Sequence, residues 1–131
     1  MGKKEKRQLS IMIIEDEQDI LLLYKDYLTS KGHKVLATST TANEIMFDYD
    51  RIKPDVAIVD YKLPNGKNGI DAATQILDKY PSAAILIVTA YDTVKKEIAN
   101  NSFFNNKRME VLIKPLRLSD LENSIINIAN K

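Results

Sequence analysis

The chain has 131 residues, 44% of them apolar and 28% charged, with 19 Lys and Arg against 18 Asp and Glu, the balance of one globular domain rather than two. Setting aside the run Lys3-Lys4-Glu5-Lys6-Arg7 leaves 15 basic and 17 acidic residues, less basic than a nucleic-acid-binding core, so no direct nucleic-acid binding is expected. The absence of cysteine excludes disulfides, thiolate metal sites and a cysteine nucleophile, and the longest apolar run, residues 83–88, is far short of the roughly 18 needed for a membrane span. A charged N-terminus with no apolar run behind it gives no secretory signal, so a cytoplasmic location is the expectation.

In chain order, residues 1–9 read as a basic, flexible tail, and residues 10–131 as the folded body. Ile11-Met12-Ile13-Ile14 is the first of five solid apolar runs; the others are Val35-Leu36-Ala37, Val56-Ala57-Ile58-Val59, Ala84-Ile85-Leu86-Ile87-Val88 and Val111-Leu112-Ile113. Strands read this way when helices cover both of their faces, as in a parallel sheet. The spacing predicts a first helix over about 17–31, with Ile20, Tyr24, Tyr27 and Leu28 inward and Gly32 as its left-handed cap. His33 falls in the following turn and is expected to be solvated. A second helix is predicted to start at the capping-box pattern Thr41-Ala42-Asn43-Glu44, with Ile45, Met46 and Tyr49 on one side. A third runs over about 69–80 and stops at Pro81. A fourth, over about 92–101, carries only Val94 and Ile98 as a stripe before dissolving into the Asn-rich segment around Phe103-Phe104. The last is expected to open with a second capping box, Ser119-Asp120-Leu121-Glu122, and to bury Leu121, Ile125 and Ile128.

Five β/α units in this order predict an α/β, doubly wound, five-stranded parallel sheet of order 2-1-3-4-5. Sites in such sheets lie beyond the carboxyl ends of the strands, at the switch point between strands one and three. Glu15 and Asp16 follow the first strand, Asp60 the third, Thr89 the fourth and Lys114 the fifth. Three convergent carboxylates require a positive partner, and an all-oxygen set without His or Cys favours Mg²⁺. With a lysine and a hydroxyl added, the constellation suits phosphoryl transfer. Simpler readings compete: Asp16 as a helix cap, Thr89 as a hydroxyl turn, Lys114 as a surface charge.

Four segments taken together, Ile13-Ile14-Glu15-Asp16-Glu17, Pro54-Asp55-Val56-Ala57-Ile58-Val59-Asp60 with Leu63-Pro64, Ile87-Val88-Thr89-Ala90 and Leu112-Ile113-Lys114-Pro115, resemble the receiver domain of two-component response regulators, a flavodoxin-like (βα)5 fold. The resemblance implies that Asp60 is the phosphoacceptor. It implies Mg²⁺ ligation by Asp16, Asp60 and the backbone carbonyl of Lys62, with Glu15 acting through a water. Thr89, the Ala90 amide and Lys114 would bind the phosphoryl group, and the Lys114–Pro115 peptide would be cis. The implied role is that of a regulatory phosphoacceptor, capable at most of self-phosphorylation and slow autodephosphorylation. It would be served by a sensor histidine kinase or phosphotransfer protein, and would signal to a protein target or a second copy through the helix 4, strand 5 and helix 5 face. No output domain is expected after the last helix.

Three departures qualify the resemblance. Glu15 stands where the family usually has Asp, and the loop after Asp60 is one residue longer, with Gly66 free to take the extra turn. Val111 replaces the aromatic that ordinarily follows the threonine's movement, leaving Tyr91 or Phe103-Phe104 as substitutes. A phosphorylation-independent interaction module is therefore the alternative function. A dehalogenase-type phosphohydrolase is disfavoured, since that class needs an acid where this chain has Lys62.

Overall fold

The five apolar runs become the strands β1 (Ser10–Ile14), β2 (Lys34–Ser39), β3 (Val56–Asp60), β4 (Ala84–Thr89) and β5 (Arg108–Ile113) in a computed structural model that describes residues 8–131. The helices are α1 (Gln18–Ser30), α2 (Ile45–Ile52), α3 (Gly69–Lys79), α4 (Thr93–Ala99) and α5 (Leu118–Ala129). All pairings are parallel and the order is β2-β1-β3-β4-β5, as the alternation predicts. The expected basic tail lies, up to Arg7, outside the described residues, but its last residue, Leu9, belongs to the folded body: it is buried in the core, because its side chain packs beneath the sheet and its amide donates to His33.

Alternate strand residues face opposite layers, so each solid run supplies two cores. Met12, Ile14, Ala57, Val59, Ile85 and Ile87 pack with Ile45 and Tyr49 of α2 and with Ile70, Ala73, Ile76 and Leu77 of α3. Ile11, Ile13, Val56, Ile58, Leu86 and Val88 meet Leu21, Tyr24 and Leu28 of α1 and Leu121, Ile125 and Ile128 of α5. The central strands β3 and β4 are buried at every position, whereas β5 is half-buried throughout and β2 alternates between half-buried and exposed. The β2 ladder slips between Ile11 and Met12, which pair with Val35 and Ala37 and leave Leu36 as an extra, exposed residue. That is a bulge on an edge strand.

Several local expectations are corrected. Helix α2 begins at Ile45, not at Thr41: the Thr41 hydroxyl accepts the Asn43 amide, Ser39 Oγ donates to the Thr41 carbonyl, and Ile45 bonds back to Ala42. The polar side chains make a local turn in place of a cap. Helix α5 starts at Leu118, ahead of Ser119, because Asp120 Oδ2 accepts the Arg117 amide at 3.3 Å. Glu122, expected in the cap, instead meets His33. The sharpest correction is His33, which is only 3% exposed. Its Nδ1 accepts the Leu9 amide at 3.1 Å and its Nε2 lies 2.9 Å from Glu122 Oε2. Since Nδ1 accepts, the ring hydrogen sits on Nε2 and donates to Glu122. Helix α4 has seven residues, and the segment after it forms a short 3-10 turn, Ser102–Phe104, that puts Phe104 into the core.

Candidate functional site

Glu15, Asp60, Thr89 and Lys114 come together because each follows or ends a strand whose register is fixed by its neighbours. Ile14 pairs with Val59, Asp60 with Val88 and Thr89 with Ile113, and the Lys114 amide donates to the Thr89 carbonyl at 2.7 Å. The Lys114–Pro115 peptide is cis, as expected. Asp60, Thr89 and Lys114 line a cleft of about 230 Å³ whose walls also include Asp16, Lys62, Ala90 and Tyr91.

Carboxylate oxygens of Glu15, Asp16 and Asp60 lie within 4.8 Å of one another. Glu15 is 1% exposed and Asp60 5%, while Asp16 sits at the open lip. One ammonium serves the two buried acids: Lys114 Nζ is 3.3 Å from Glu15 Oε1 and 3.4 Å from Asp60 Oδ1. Glu15 Oε2 also accepts the Glu17 amide. Burial, and then the charge of Glu15, push Asp60 up to about 7 against the pull of Lys114. Burial likewise raises Glu15. Burial would also raise Asp16, but hydrogen bonding with Glu15 and Asp60 outweighs it and lowers that acid. The Lys114 ammonium, which burial alone would lower, is raised by the charges of Asp60 and Glu15. Such a pocket holds more negative charge than its lysine neutralises, and its donors are all hard oxygens. Both properties fit a small divalent cation.

The loop after Asp60 closes by a bridge between Lys62 and Asn68, with Asn65 and Gly66 both left-handed at its tip. This is the extra turn anticipated at Gly66. Gly69, which sequence reasoning passed over, packs tightly against the Asp60 backbone. A Cβ there would stand 2.7 Å from the Asp60 carbonyl oxygen and 2.9 Å from Tyr61 Cα. The sequence signal was the glycine itself, the residue that permits close backbone approach.

Thr89 is 1% exposed, and its hydroxyl oxygen accepts the Tyr91 amide at 3.0 Å, so the hydroxyl turn exists. Its own proton remains available for donation into the cleft. The Ala90 amide has no partner among the described residues. Tyr91 is half-exposed and packs edge-on against Tyr61, with ring centroids 6.1 Å apart. Val111 lies half-buried against the α2/α3/α4 core, and Phe103 rests edge-on against the buried Phe104.

A doubly wound 2-1-3-4-5 sheet with acids, a lysine and a hydroxyl at its carboxyl edge places the chain in the flavodoxin-like class, with its candidate site at the switch point. The profile of the response regulator receiver domain matches residues 11–126, and the chain belongs to that family. Among curated relatives, it is 31% identical over 90 residues to the chemotaxis protein CheY of Thermotoga maritima, covering 69% of each chain. It is 30% identical over 111 residues to the transcriptional regulatory protein PdtaR of Mycobacterium tuberculosis, covering 85% of this chain and 52% of that one. Among solved structures, a response regulator receiver domain protein from Clostridium thermocellum superposes with a TM-score of 0.79 at 28% identity, covering 92% of this chain and 94% of that one. A chain of the CheX–CheY–BeF3–Mg²⁺ complex from Borrelia burgdorferi gives 0.80 over 93% of this chain and 90% of that one; at 16% identity the likeness is one of fold. The protein is thus a CheY-like receiver domain of two-component systems, a family that is regulatory rather than catalytic and that binds Mg²⁺ at an acidic pocket. No helix among the described residues is long and apolar enough to cross a membrane.

Proposed function

We propose that this receiver accepts a phosphoryl group on Asp60 from the phosphohistidine of a sensor kinase or phosphotransfer protein. The observation that carries the reading is Asp60 itself: a carboxylate 5% exposed at a strand end, grouped with Glu15 and Asp16 and faced by Lys114. An Asp60 oxygen attacks phosphorus, a P–O bond forms, the P–N bond breaks and the imidazole leaves with the electron pair. Asp16, Asp60 and the Lys62 carbonyl would hold Mg²⁺, with Glu15 assisting through a water. When bound, the ion supplies positive charge to offset the phosphoryl oxygens. Lys114 pairs with one phosphoryl oxygen, and the Thr89 hydroxyl and Ala90 amide donate to others. Slow attack of water on the aspartyl phosphate resets the protein.

Signalling passes to a protein target or a second copy through the surface of α4, β5 and α5. With Val111 unable to report on Thr89, that task falls to Tyr91. Its amide holds the Thr89 hydroxyl and its ring leans on Tyr61, so a threonine drawn toward a phosphoryl group releases both. The Phe103–Phe104 pair is less suited, since Phe104 is anchored in the core. Val111 also supports the second reading, an interaction module that works without phosphorylation.

Incubation with Mg²⁺ and acetyl phosphate, or with beryllofluoride, separates the two. An Asp60-dependent mass gain read by intact mass, absent in Asp60→Asn, with amide shifts spreading from Thr89 through Tyr91 toward α5, is the expected result. A chain that neither binds Mg²⁺ nor is modified at Asp60 is the constitutive module.

A further inference from the structure

The segment from Asp60 into the first residue of α3 contains the dipeptide Asn-Gly twice, as Asn65-Gly66 and Asn68-Gly69. Asparagine is a thermolabile residue, and a following glycine exposes it most, because no Cβ shields the glycine nitrogen from the asparagine side chain. The two copies lie three residues apart in opposite surroundings.

Asn65 and Gly66 are both exposed at the loop tip, with φ of 67° and 76°. Neither the Asn65 side chain nor the Gly66 amide has a hydrogen-bond partner among the described residues. Nothing lies within 4 Å of the position a Gly66 Cβ would take. At the second copy the side-chain oxygen of the asparagine and the nitrogen of the glycine are both engaged. Asn68 Oδ1 accepts the Asp71 amide at 2.9 Å while Asp71 Oδ2 accepts the Asn68 amide at 3.0 Å, the reciprocal cap of α3. The Gly69 amide donates to the Tyr61 carbonyl at 2.7 Å, and Gly69 is buried against the Asp60 backbone.

We propose that Asn65 is a site of spontaneous deamidation in the folded protein, and that the fold holds Asn68 against the same reaction. The Gly66 nitrogen gives its proton to solvent base and attacks Cγ of Asn65. A C–N bond closes a succinimide, the Cγ–Nδ2 bond breaks and ammonia leaves. Water then opens the ring at either carbonyl, giving aspartate or isoaspartate. The product adds a negative charge to the loop that carries Lys62, and the isoaspartyl form also adds a methylene to its backbone. Asn68 reaches the same chemistry only when the cap and the Gly69 bond open together, and a bonded, buried site reacts only from its open population.

The test is incubation of the full chain at mildly alkaline pH, followed by peptide mapping with isoaspartyl-specific methylation. Asn65 is expected to convert at least about tenfold faster than Asn68, the discrimination that a modest local opening free energy provides. In concentrated urea the two rates converge. In Asp71→Ala, which removes half of the cap, Asn68 gains on Asn65 while Asn65 is unchanged. Equal conversion of the two sites in the native chain overturns the proposal, as does an Asn65 rate no higher than that of Asn43 or Asn105, which precede residues other than glycine.

Discussion

The two ends of the sheet treat charge in opposite ways. At the amino ends of the strands every polar group singled out is matched. Arg108 donates to the carbonyls of Ser82, Ile128 and Ala129, which gives a cation to the last turn of α5. Asp55 Oδ2 receives the Ser10 amide and hydroxyl, and His33 joins Leu9 to Glu122. At the carboxyl ends three carboxylates crowd together, one lysine pairs with only two of them, and one of those is pushed up to about 7. One end is built for stability. The other keeps an unbalanced charge, which marks where a ligand and a reaction belong.

The contrast predicts substitutions of opposite sign. The largest effect belongs to Gly69→Ala, whose Cβ forces the Asp60–Tyr61 backbone aside. A loss of about 3 kcal/mol is expected by urea unfolding, together with weaker Mg²⁺ binding by titration. His33→Ala leaves the Leu9 amide and Glu122 without their partner and opens a void. It should cost about 2 kcal/mol without changing Mg²⁺ affinity, and a parallel change in affinity would refute the separation of the two ends.

Asp60→Asn should go the other way. Because burial and Glu15 raise the folded-state value above the ordinary 3.8, the folded protein holds this proton more tightly than the unfolded chain. The stability it confers is full below about 3.8 and is lost as pH rises toward 7. Without metal at pH 8, the asparagine variant should therefore be more stable than the parent, on the order of 2 kcal/mol. It should also lack that part of the pH dependence, and a destabilised variant would sink the electrostatic account. The smallest effect is Ser10→Ala, which removes a hydroxyl shared with Asp55 and should cost about 1 kcal/mol in the same unfolding assay.

What the sequence revealed follows from where information is local. Runs such as Val56-Ala57-Ile58-Val59 announce central strands because burial on both faces leaves no room for polar residues. Glu15, Asp16, Asp60, Thr89 and Lys114 are legible for a related reason: each closes an apolar run, and the switch-point geometry brings such ends together. The edge strands extend beyond the apolar runs that mark them, since β2 has exposed positions and half-buried β5 opens with the charged residues Arg108 and Glu110, which interrupt the pattern. The helix starts at Thr41 and Ser119 misled because hydroxyls and carboxylates choose between several nearby amides, a choice settled by three-dimensional neighbours. His33 was hidden for the strongest reason. Its burial depends on Glu122, 89 positions away, and on a backbone amide that carries no sequence signature.

The slip in the β2 ladder reaches beyond the monomer's own packing. A regular outer strand offers a template on which foreign chains can grow an intermolecular sheet, the first step toward aggregation. Around Leu36 the donors and acceptors of that rim fall out of phase, because Ile11 and Met12 span three β2 residues with two. A chain with a strongly apolar sheet thereby ends it, on this side, with an edge that resists templated growth.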